Sequence, residues 1–263
     1  MKVQSSNIRQ KYRYKQGFTL IELLVVIAII STLMAILFPA LRKVRVLTKR
    51  IVCQSNLRQI AAAWQLYLKD SDGVFYQGLN TNHLFGGWRG TGFPVTDRPL
   101  NEYLGLDPNV PTEDGAKVFY CPADKGGIFG LPPQEIAYQY YGNSYQTSIF
   151  LIGPDKIGPG PGNLSELHNA INSRLKNISI AGLSANFSLL PLLGDNNWMS
   201  EWHPLMPHSK DWHDKTRYHN LVFMDGHVEL LKIRKGLYVT TEYTLLPFRD
   251  LHKMAINSQQ EVE

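Results

Sequence analysis

The sequence predicts an α+β protein in which one long N-terminal helix packs on a small antiparallel β-sheet domain. Two observations favour the helix: a run from Phe18 to Leu41 that is apolar apart from Glu22 and a few small polar residues, and a following stretch to Lys69 without Gly or further Pro. The sheet is indicated by Asp225-Gly226 standing between two apolar runs, a strong signal of a β-hairpin. The remainder is rich in Gly, Pro, Asn and Tyr, as expected of short elements joined by loops.

A short basic leader precedes the apolar run. Residues 1–17 contain five basic and no acidic residues, so the chain's formal charge of +5 belongs to this leader alone. The remaining chain is formally neutral, so its basic pI gives no reason to expect a nucleic-acid partner. Basic residues beside a membrane span stay in the cytoplasm, which predicts a cytoplasmic N-terminus and an extracytoplasmic C-terminal domain.

The apolar run is long enough to cross a membrane as a helix. It covers residues 18–41, and Glu22 is its only charged residue. A helix of this length spans a hydrocarbon core of about 30 Å. An ionisable group within such a span is costly, which marks Glu22 as a candidate functional residue. Pro39 either kinks this helix or ends it.

The residues around Glu22 carry a family resemblance. Gly17-Phe18-Thr19-Leu20-Ile21-Glu22 after a basic leader resembles the N-terminus of type IV prepilins and type II secretion pseudopilins. The resemblance implies that a prepilin peptidase cleaves after Gly17 and methylates the new amino group of Phe18. It also implies that Glu22 pairs with the N-terminal amine of an adjacent subunit, and that Pro39 is the kinking proline of the assembly helix. The alternative is an uncleaved signal anchor.

The second part of the long helix is expected to pack on the soluble domain. Cys53, Leu57, Ile60, Trp64 and Leu68, together with Tyr67, recur at helical spacing and would line one face. Asp70-Ser71-Asp72-Gly73 is a stop signal. The predicted organisation is a leader (1–17), a transmembrane helix (18–41), the soluble half of that helix (42–70) and an extracytoplasmic α+β domain (71–263).

Within that last domain the sequence indicates several short elements. Strands are expected at Lys117–Tyr120, within Tyr138–Ile152 and at Ser188–Leu193, and a helix at Leu164–Leu175. Loops are expected at Asn80–Pro99 and Gly153–Gly162. The Asp225-Gly226 hairpin is expected to use a type I′ turn, with positive φ at both central residues.

A second resemblance lies near the C-terminus. The stretch from Asn220 to Val228 resembles the H-X9-DG element of large prepilin-like proteins from planctomycetes. Lys215 stands where that element has its histidine, which leaves the role of that histidine open in this chain. Further segments resemble other landmarks of the group: Cys53–Gln59, Tyr67–Asp70 and Phe119–Asp124.

The two cysteines, Cys53 and Cys121, are candidates for a disulfide. The predicted topology places both outside the cytoplasm, where disulfides persist, and the bond would tie the long helix to the sheet domain. The alternative is two buried free thiols.

Two metal hypotheses follow from the polar residues. Five histidines lie between residues 203 and 227 with Asp211, Asp214 and Asp225 among them, a composition suited to zinc, although no H-E-x-x-H spacing is present. By resemblance, major pseudopilins can bind Ca²⁺ in a C-terminal loop, with Asp195, Asn197 and Asp225 as candidate ligands here. Both sets can equally be turn and loop residues.

These observations favour a structural subunit over an enzyme. The chain contains no nucleotide-binding loop, no nucleophile elbow and no paired-carboxylate signature. The resemblance implies a pseudopilin of a type II secretion-type pseudopilus. Its partners would be the peptidase, further subunits and an inner-membrane assembly platform with its ATPase, and no cofactor would be required. A type IV pilin of a surface fibre is the first alternative, and a membrane-anchored metal-dependent enzyme or sugar-binding module is the second.

Overall fold

One long helix, α1 (Leu20–Asp70), is the first element of the described structure. The computed structural model describes residues 19–78, 81–92, 97–107, 112–128, 130–153, 157–158 and 164–260. Two compact units are distinguished, one ending at Arg45 and one beginning at Val46. The predicted helix is confirmed, and Pro39 lies inside it rather than at its end.

Residues with positive φ terminate α1. Asp72 and Gly73 have φ of 52° and 77°, and the Gly73 N–H donates to the carbonyl of Leu68. This pattern satisfies a carbonyl of the last helical turn, so the predicted stop signal acts where expected.

The second part of α1 contributes one face to the hydrophobic core. Its buried residues are Cys53, Asn56, Leu57, Ile60, Ala61, Ala63, Trp64 and Leu68. Their spacing is that of a single helical stripe, which confirms the predicted packing face. Trp64 packs against Phe85 at a ring-centroid distance of 5.8 Å.

The sheet is a four-stranded antiparallel meander in the order β1-β2-β3-β4. Its strands are β1 (Tyr145–Thr147), β2 (Pro191–Asp195), β3 (Tyr218–Phe223) and β4 (Val228–Lys232). In the register of the two central strands, Gly194 lies opposite Leu221 and Pro191 opposite Phe223. Every residue of β2 is buried, and so are the last five of β3, which places these strands inside the domain.

The predicted β3–β4 hairpin is present, but its turn differs from the expected type I′. Phe223 and His227 close the loop through the Phe223 N–H and the His227 carbonyl, and the Gly226 N–H donates to the Phe223 carbonyl. Only Gly226 of the loop has positive φ, at 89°. The loop therefore has three residues, with glycine at the left-handed position that follows a tight turn.

Short helices surround the sheet. They are α2 (Thr81–Leu84), α3 (Ala137–Tyr141), α4 (Ser165–Leu175), α5 (Trp198–Trp202) and α6 (His252–Gln260). Single 3₁₀ turns occur at Glu102–Leu104, Lys117–Phe119, Ile180–Gly182, Phe187–Leu189 and Arg249–Leu251. The predicted helix at Leu164–Leu175 is confirmed, starting at Ser165.

The strand expected at Lys117–Tyr120 was wrong in type and the one at Ser188–Leu193 was slightly wrong in position, whereas the strand expected within Tyr138–Ile152 is confirmed as β1. Lys117–Phe119 is a 3₁₀ turn because the Phe119 and Tyr120 N–H groups bond back to the carbonyls of Ala116 and Lys117. In the segment from Tyr138 to Ile152, a helix precedes the strand β1. The strand expected at Ser188–Leu193 lies slightly later, at Pro191–Asp195. The two loops expected at Asn80–Pro99 and Gly153–Gly162 fall partly outside the described residues, and the first contains α2.

Candidate functional site

The described chain begins at Thr19, directly after the predicted processing site. Gly17 and Phe18 themselves lie outside the described residues. Their roles as cleavage site and methylated residue stay predictions.

Thr19 and Glu22 form a reciprocal cap at the start of α1. Glu22 Oε2 accepts hydrogen bonds from the Thr19 N–H at 2.8 Å and from the Thr19 hydroxyl at 2.7 Å. In return, the Glu22 N–H donates to Thr19 Oγ1 at 3.3 Å. This is the capping-box arrangement, which satisfies N–H groups that have no partner within the helix. The Thr-x-x-Glu spacing is the sequence signal from which this cap could have been predicted.

The cap fixes where the Glu22 carboxylate lies. Both hydrogen bonds that the Glu22 side chain accepts end on one oxygen, Oε2. This oxygen lies at the N-terminal end of the helix, where the helix dipole favours negative charge. The carboxylate thereby lies beside the backbone N–H of Thr19, the residue that follows the predicted new N-terminal residue in sequence. Its pairing with the Phe18 amine of a neighbouring subunit stays a prediction.

The surface of α1 from Leu20 to Leu41 is apolar and exposed. The exposed large side chains here are Leu20, Ile21, Leu23, Leu24, Val25, Val26, Ile27, Ile29, Ile30, Leu33, Met34, Ile36, Leu37, Phe38 and Leu41. By length and composition α1 could cross a membrane, and its most apolar window is buried nowhere by the described chain. Apolar surface of this extent requires lipid or other protein around it.

Pro39 sits near the end of this exposed stretch, within the continuous helix. Proline removes one backbone hydrogen bond and bends a helix that continues past it. The position therefore fits a kink and excludes the alternative that Pro39 ends the helix.

Cys53 and Cys121 are joined in a disulfide, with Cα atoms 5.1 Å apart. Both residues are completely buried. The bond fastens α1 to the segment that follows the 3₁₀ turn at Lys117–Phe119. The prediction of a disulfide is therefore confirmed over that of two free thiols.

A buried polar cluster lies beside the disulfide. His213 Nε2 is 3.9 Å from Cys121 Sγ, 3.1 Å from Asp195 Oδ2 and 2.8 Å from Asn220 Nδ2. Asp195 Oδ2 also accepts from the Asn220 N–H at 2.7 Å. The Asp195 side chain therefore links the end of β2 to the start of β3 and to the loop that carries His213.

A second buried histidine extends this cluster. His219 Nδ1 lies 2.9 Å from Asn197 Oδ1, and the Asn197 amide nitrogen donates to the Lys210 carbonyl at 2.7 Å. Burial is the largest cause that lowers the pKa of His219 to about 4, so the ring is neutral at physiological pH. Asp195 and Asn197 are thus engaged in hydrogen bonds within the core.

The three candidate calcium ligands are not brought together. Asp195 bonds to Asn220 near the start of β3, whereas Asp225 follows the end of that strand. Five residues of roughly 3.3 Å rise separate these positions along the chain. Asp225 caps the hairpin through His227, whose N–H and Nδ1 lie 3.1 and 2.6 Å from Asp225 Oδ1. The calcium site stays a prediction without support from this geometry.

The five histidines of the 203–227 segment are also dispersed. His213 and His219 are buried in the polar cluster. His208 pairs with Glu201 at 2.5 Å, His227 stacks on Phe223, and His203 lies edge-on against Trp202. In the described part of the chain, the group nearest to a metal-binding geometry is Cys53, Cys121 and His213. Its two sulfurs are committed to the disulfide, so they offer no thiolate ligands.

The comparison with protein families identifies the N-terminal segment. Residues 12–38 match the prokaryotic N-terminal methylation motif, which is characteristic of type IV prepilin-like proteins. No curated protein and no solved structure matches the chain. The matched residues include the capping box and all but the last three residues of the exposed apolar stretch. The long helix and the small antiparallel sheet are consistent with a pilin-like fold.

Proposed function

We propose that this chain, a type IV prepilin-like protein by its N-terminal methylation motif, is a structural subunit of a type II secretion-type pseudopilus. The observation that carries the proposal is the coincidence of that motif with the exposed apolar half of α1. A helix that is apolar on all sides is stable in lipid before assembly and among other helices of its kind afterwards.

Processing would convert the N-terminus into an assembly element. We propose that prepilin peptidase cleaves between Gly17 and Phe18 and methylates the Phe18 amine. Thr19 would then become the second residue, and its cap with Glu22 would place a carboxylate at the residue next to the new amine. A carboxylate in lipid needs a cationic partner, so the Glu22 of one subunit would pair with the Phe18 amine of the next.

The proposed topology is a single pass through the bacterial inner membrane. The basic leader would remain in the cytoplasm, and the domain from Val46 onward would lie in the periplasm. The buried Cys53–Cys121 disulfide supports this side for the domain, since disulfides persist outside the cytoplasm. The remaining partners would be other subunits and an inner-membrane assembly platform with its ATPase.

Substitution of Glu22 tests the assembly role. Glu22→Leu is expected to leave membrane insertion and leader cleavage intact but to abolish recovery of the chain in filaments. Glu166→Leu is the matched control, because Glu166 is exposed on α4 within the soluble domain. Filaments of normal yield from Glu22→Leu would contradict the proposal, and so would equal losses in both variants.

A deletion strain distinguishes a pseudopilus from a surface fibre. If the chain is a pseudopilus subunit, the deletion strain is expected to lose protein secretion while its extended surface fibres persist. Loss of surface fibres with normal secretion would instead assign the chain to a type IV pilus, which uses the same N-terminal assembly chemistry.

A further inference from the structure

Three basic residues directly follow the apolar stretch of α1 that ends at Leu41. Arg42, Lys43 and Arg45 are all exposed, and they lie in the same compact unit as that stretch. The ion pairs within the described chain involve none of the three. These residues form the basic collar of α1, and no acidic side chain of the described chain pairs with it.

The charge of the rest of the chain sets the collar apart. After the leader, 22 basic and 22 acidic residues remain. Residues 42–50 contain five of the basic residues and no acidic one, whereas residues 51–263 contain 17 basic and 21 acidic residues. An anionic surface would therefore repel the domain as a whole and attract the segment that begins with the collar.

The collar lies where α1 would leave the hydrocarbon core of a membrane. An α-helix rises about 1.5 Å per residue, so Arg42 and Arg45 follow Leu41 by about 1.5 and 6 Å along the helix axis. The headgroup layer on each side of the core is roughly 5–8 Å thick. Helical side chains also lean towards the N-terminus, which here is towards the bilayer. The three cationic groups would thus reach the lipid phosphates, whichever way the helix crosses the membrane.

We propose that the basic collar binds the phosphate groups of anionic phospholipids of the phosphatidylglycerol class. Guanidinium and ammonium groups donate charge-assisted hydrogen bonds to phosphate oxygens, and an Arg side chain can do so with two parallel N–H groups. A zwitterionic lipid such as phosphatidylcholine carries a compensating cation, so a lipid with a net negative charge gains more from the collar. The inference rests on the proposed insertion of α1 in a membrane, and it goes beyond filament assembly because it concerns the subunit while lipid surrounds it.

Spin-labelled lipids in reconstituted membranes test the proposal. The full chain is placed in phosphatidylcholine vesicles that contain a trace of spin-labelled phosphatidylglycerol or spin-labelled phosphatidylcholine. Electron paramagnetic resonance then measures the fraction of each labelled lipid that the protein immobilises. At low salt, the association constant of phosphatidylglycerol relative to phosphatidylcholine is expected to be about three or more. At about 1 M NaCl, where the Debye length is about 3 Å, the preference should largely disappear.

Removal of the positive charge of the collar locates the preference. Arg42→Gln/Lys43→Gln/Arg45→Gln is expected to lower the relative association constant about twofold or more. The five basic residues of the leader are present in every variant, so they contribute equally to all measurements. Arg42→Lys/Arg45→Lys keeps the positive charges and should retain most of the native preference, because Lys and Arg attract anionic headgroups to a similar extent.

A matched variant controls for net charge. Arg58→Gln/Lys176→Gln/Arg249→Gln also removes two Arg and one Lys, all from exposed positions in the unit that begins at Val46. It should change the relative association constant by less than about 20%, because these charges lie outside the collar. Unchanged circular dichroism and thermal unfolding verify that the variants fold, and resistance to extraction by alkaline carbonate verifies that each chain is inserted in the vesicles.

The proposal is overturned by equal immobilisation of the two lipids by the native chain, by an unchanged preference in the collar variant, or by equal losses in the collar and control variants. Loss of self-association in the collar variant, with no preference between the lipids, would overturn it too and assign the collar to the acidic domain of a second copy. Each of these results, obtained with an inserted chain, leaves the proposed function standing. Extraction of the native chain by alkaline carbonate would instead contradict the proposed membrane insertion, and with it the role of the collar.

Discussion

Removal of the Cys53–Cys121 disulfide is expected to destabilise the unit that begins at Val46 strongly. The two cysteines are 68 positions apart. In the loop-entropy model, a cross-link over such a loop stabilises the folded state by about 4 kcal/mol at 25 °C. This is a large part of the ~5–15 kcal/mol that holds a typical domain folded. For a domain of this size it corresponds to a fall in melting temperature of about 8–16 °C.

The double variant Cys53→Ala/Cys121→Ala and the reduced native chain measure this effect in two ways. Both lack the cross-link, so thermal unfolding of the full chain in detergent should show a similar loss for each. Reductant added to the double variant is the control, and it should leave the melting temperature of that variant unchanged. A shift of less than about 2 °C in both cases would refute the reasoning, because the disulfide would then constrain little of the unfolded chain.

Three other perturbations follow from the structure. Acidification from pH 7 to 5 should lower the free energy of unfolding by roughly 2 kcal/mol for each of His83 and His219, whose folded pKa of about 4 lies below the unfolded value near 6.5. The contribution of these two neutral histidines to the free energy of unfolding is fully present above pH 6.5 and is lost as the pH falls towards 4. His219→Gln should therefore make the free energy of unfolding, measured by urea denaturation, less dependent on pH. Gly142→Ala should destabilise the chain by well over 3 kcal/mol or prevent folding, since the new Cβ would lie 1.8 Å from the Trp88 carbonyl oxygen at a φ of +78°. Gly130→Ala has similar φ but open space around it, so its cost in chemical denaturation should stay near 1 kcal/mol; equal losses would contradict the clash. Thr19→Val removes the capping hydroxyl and should weaken the first turn of α1 by about 1 kcal/mol, seen as faster hydrogen exchange there, while Thr19→Ser should keep native exchange rates.

The parts of the fold that depend on local patterns could be predicted from the sequence. The extent of α1 follows from its composition and from the Asp72-Gly73 stop, and the β3–β4 hairpin follows from Asp225-Gly226. The turn type could not be derived in the same way. A dipeptide with glycine fits both a two-residue loop and the three-residue loop that is present.

Other features depend on contacts between residues distant in sequence. The helix α3 begins where the sequence favoured a strand, because the Asp124 carboxylate accepts from the N–H groups of Ala137 and Tyr138 at 3.1 and 2.9 Å. This cap lies 13 residues upstream, so no local pattern reveals it. The cluster of Asp195, His213 and Asn220 is equally invisible in sequence, since three different elements bring it together. Two of the three candidate calcium ligands, Asp195 and Asn197, are therefore members of a hydrogen-bonded core, whereas Asp225 caps the hairpin.

The N-terminus of the membrane-bound chain tests the central claim most directly. Mass spectrometry of the protein isolated from membranes of the native cells determines its first residue and any modification. A chain that starts at Phe18 and carries one added methyl group is the result that the prepilin assignment predicts. A chain that retains the leader through Gly17, with an unmodified Phe18, would contradict processing and with it the proposed assembly through Glu22.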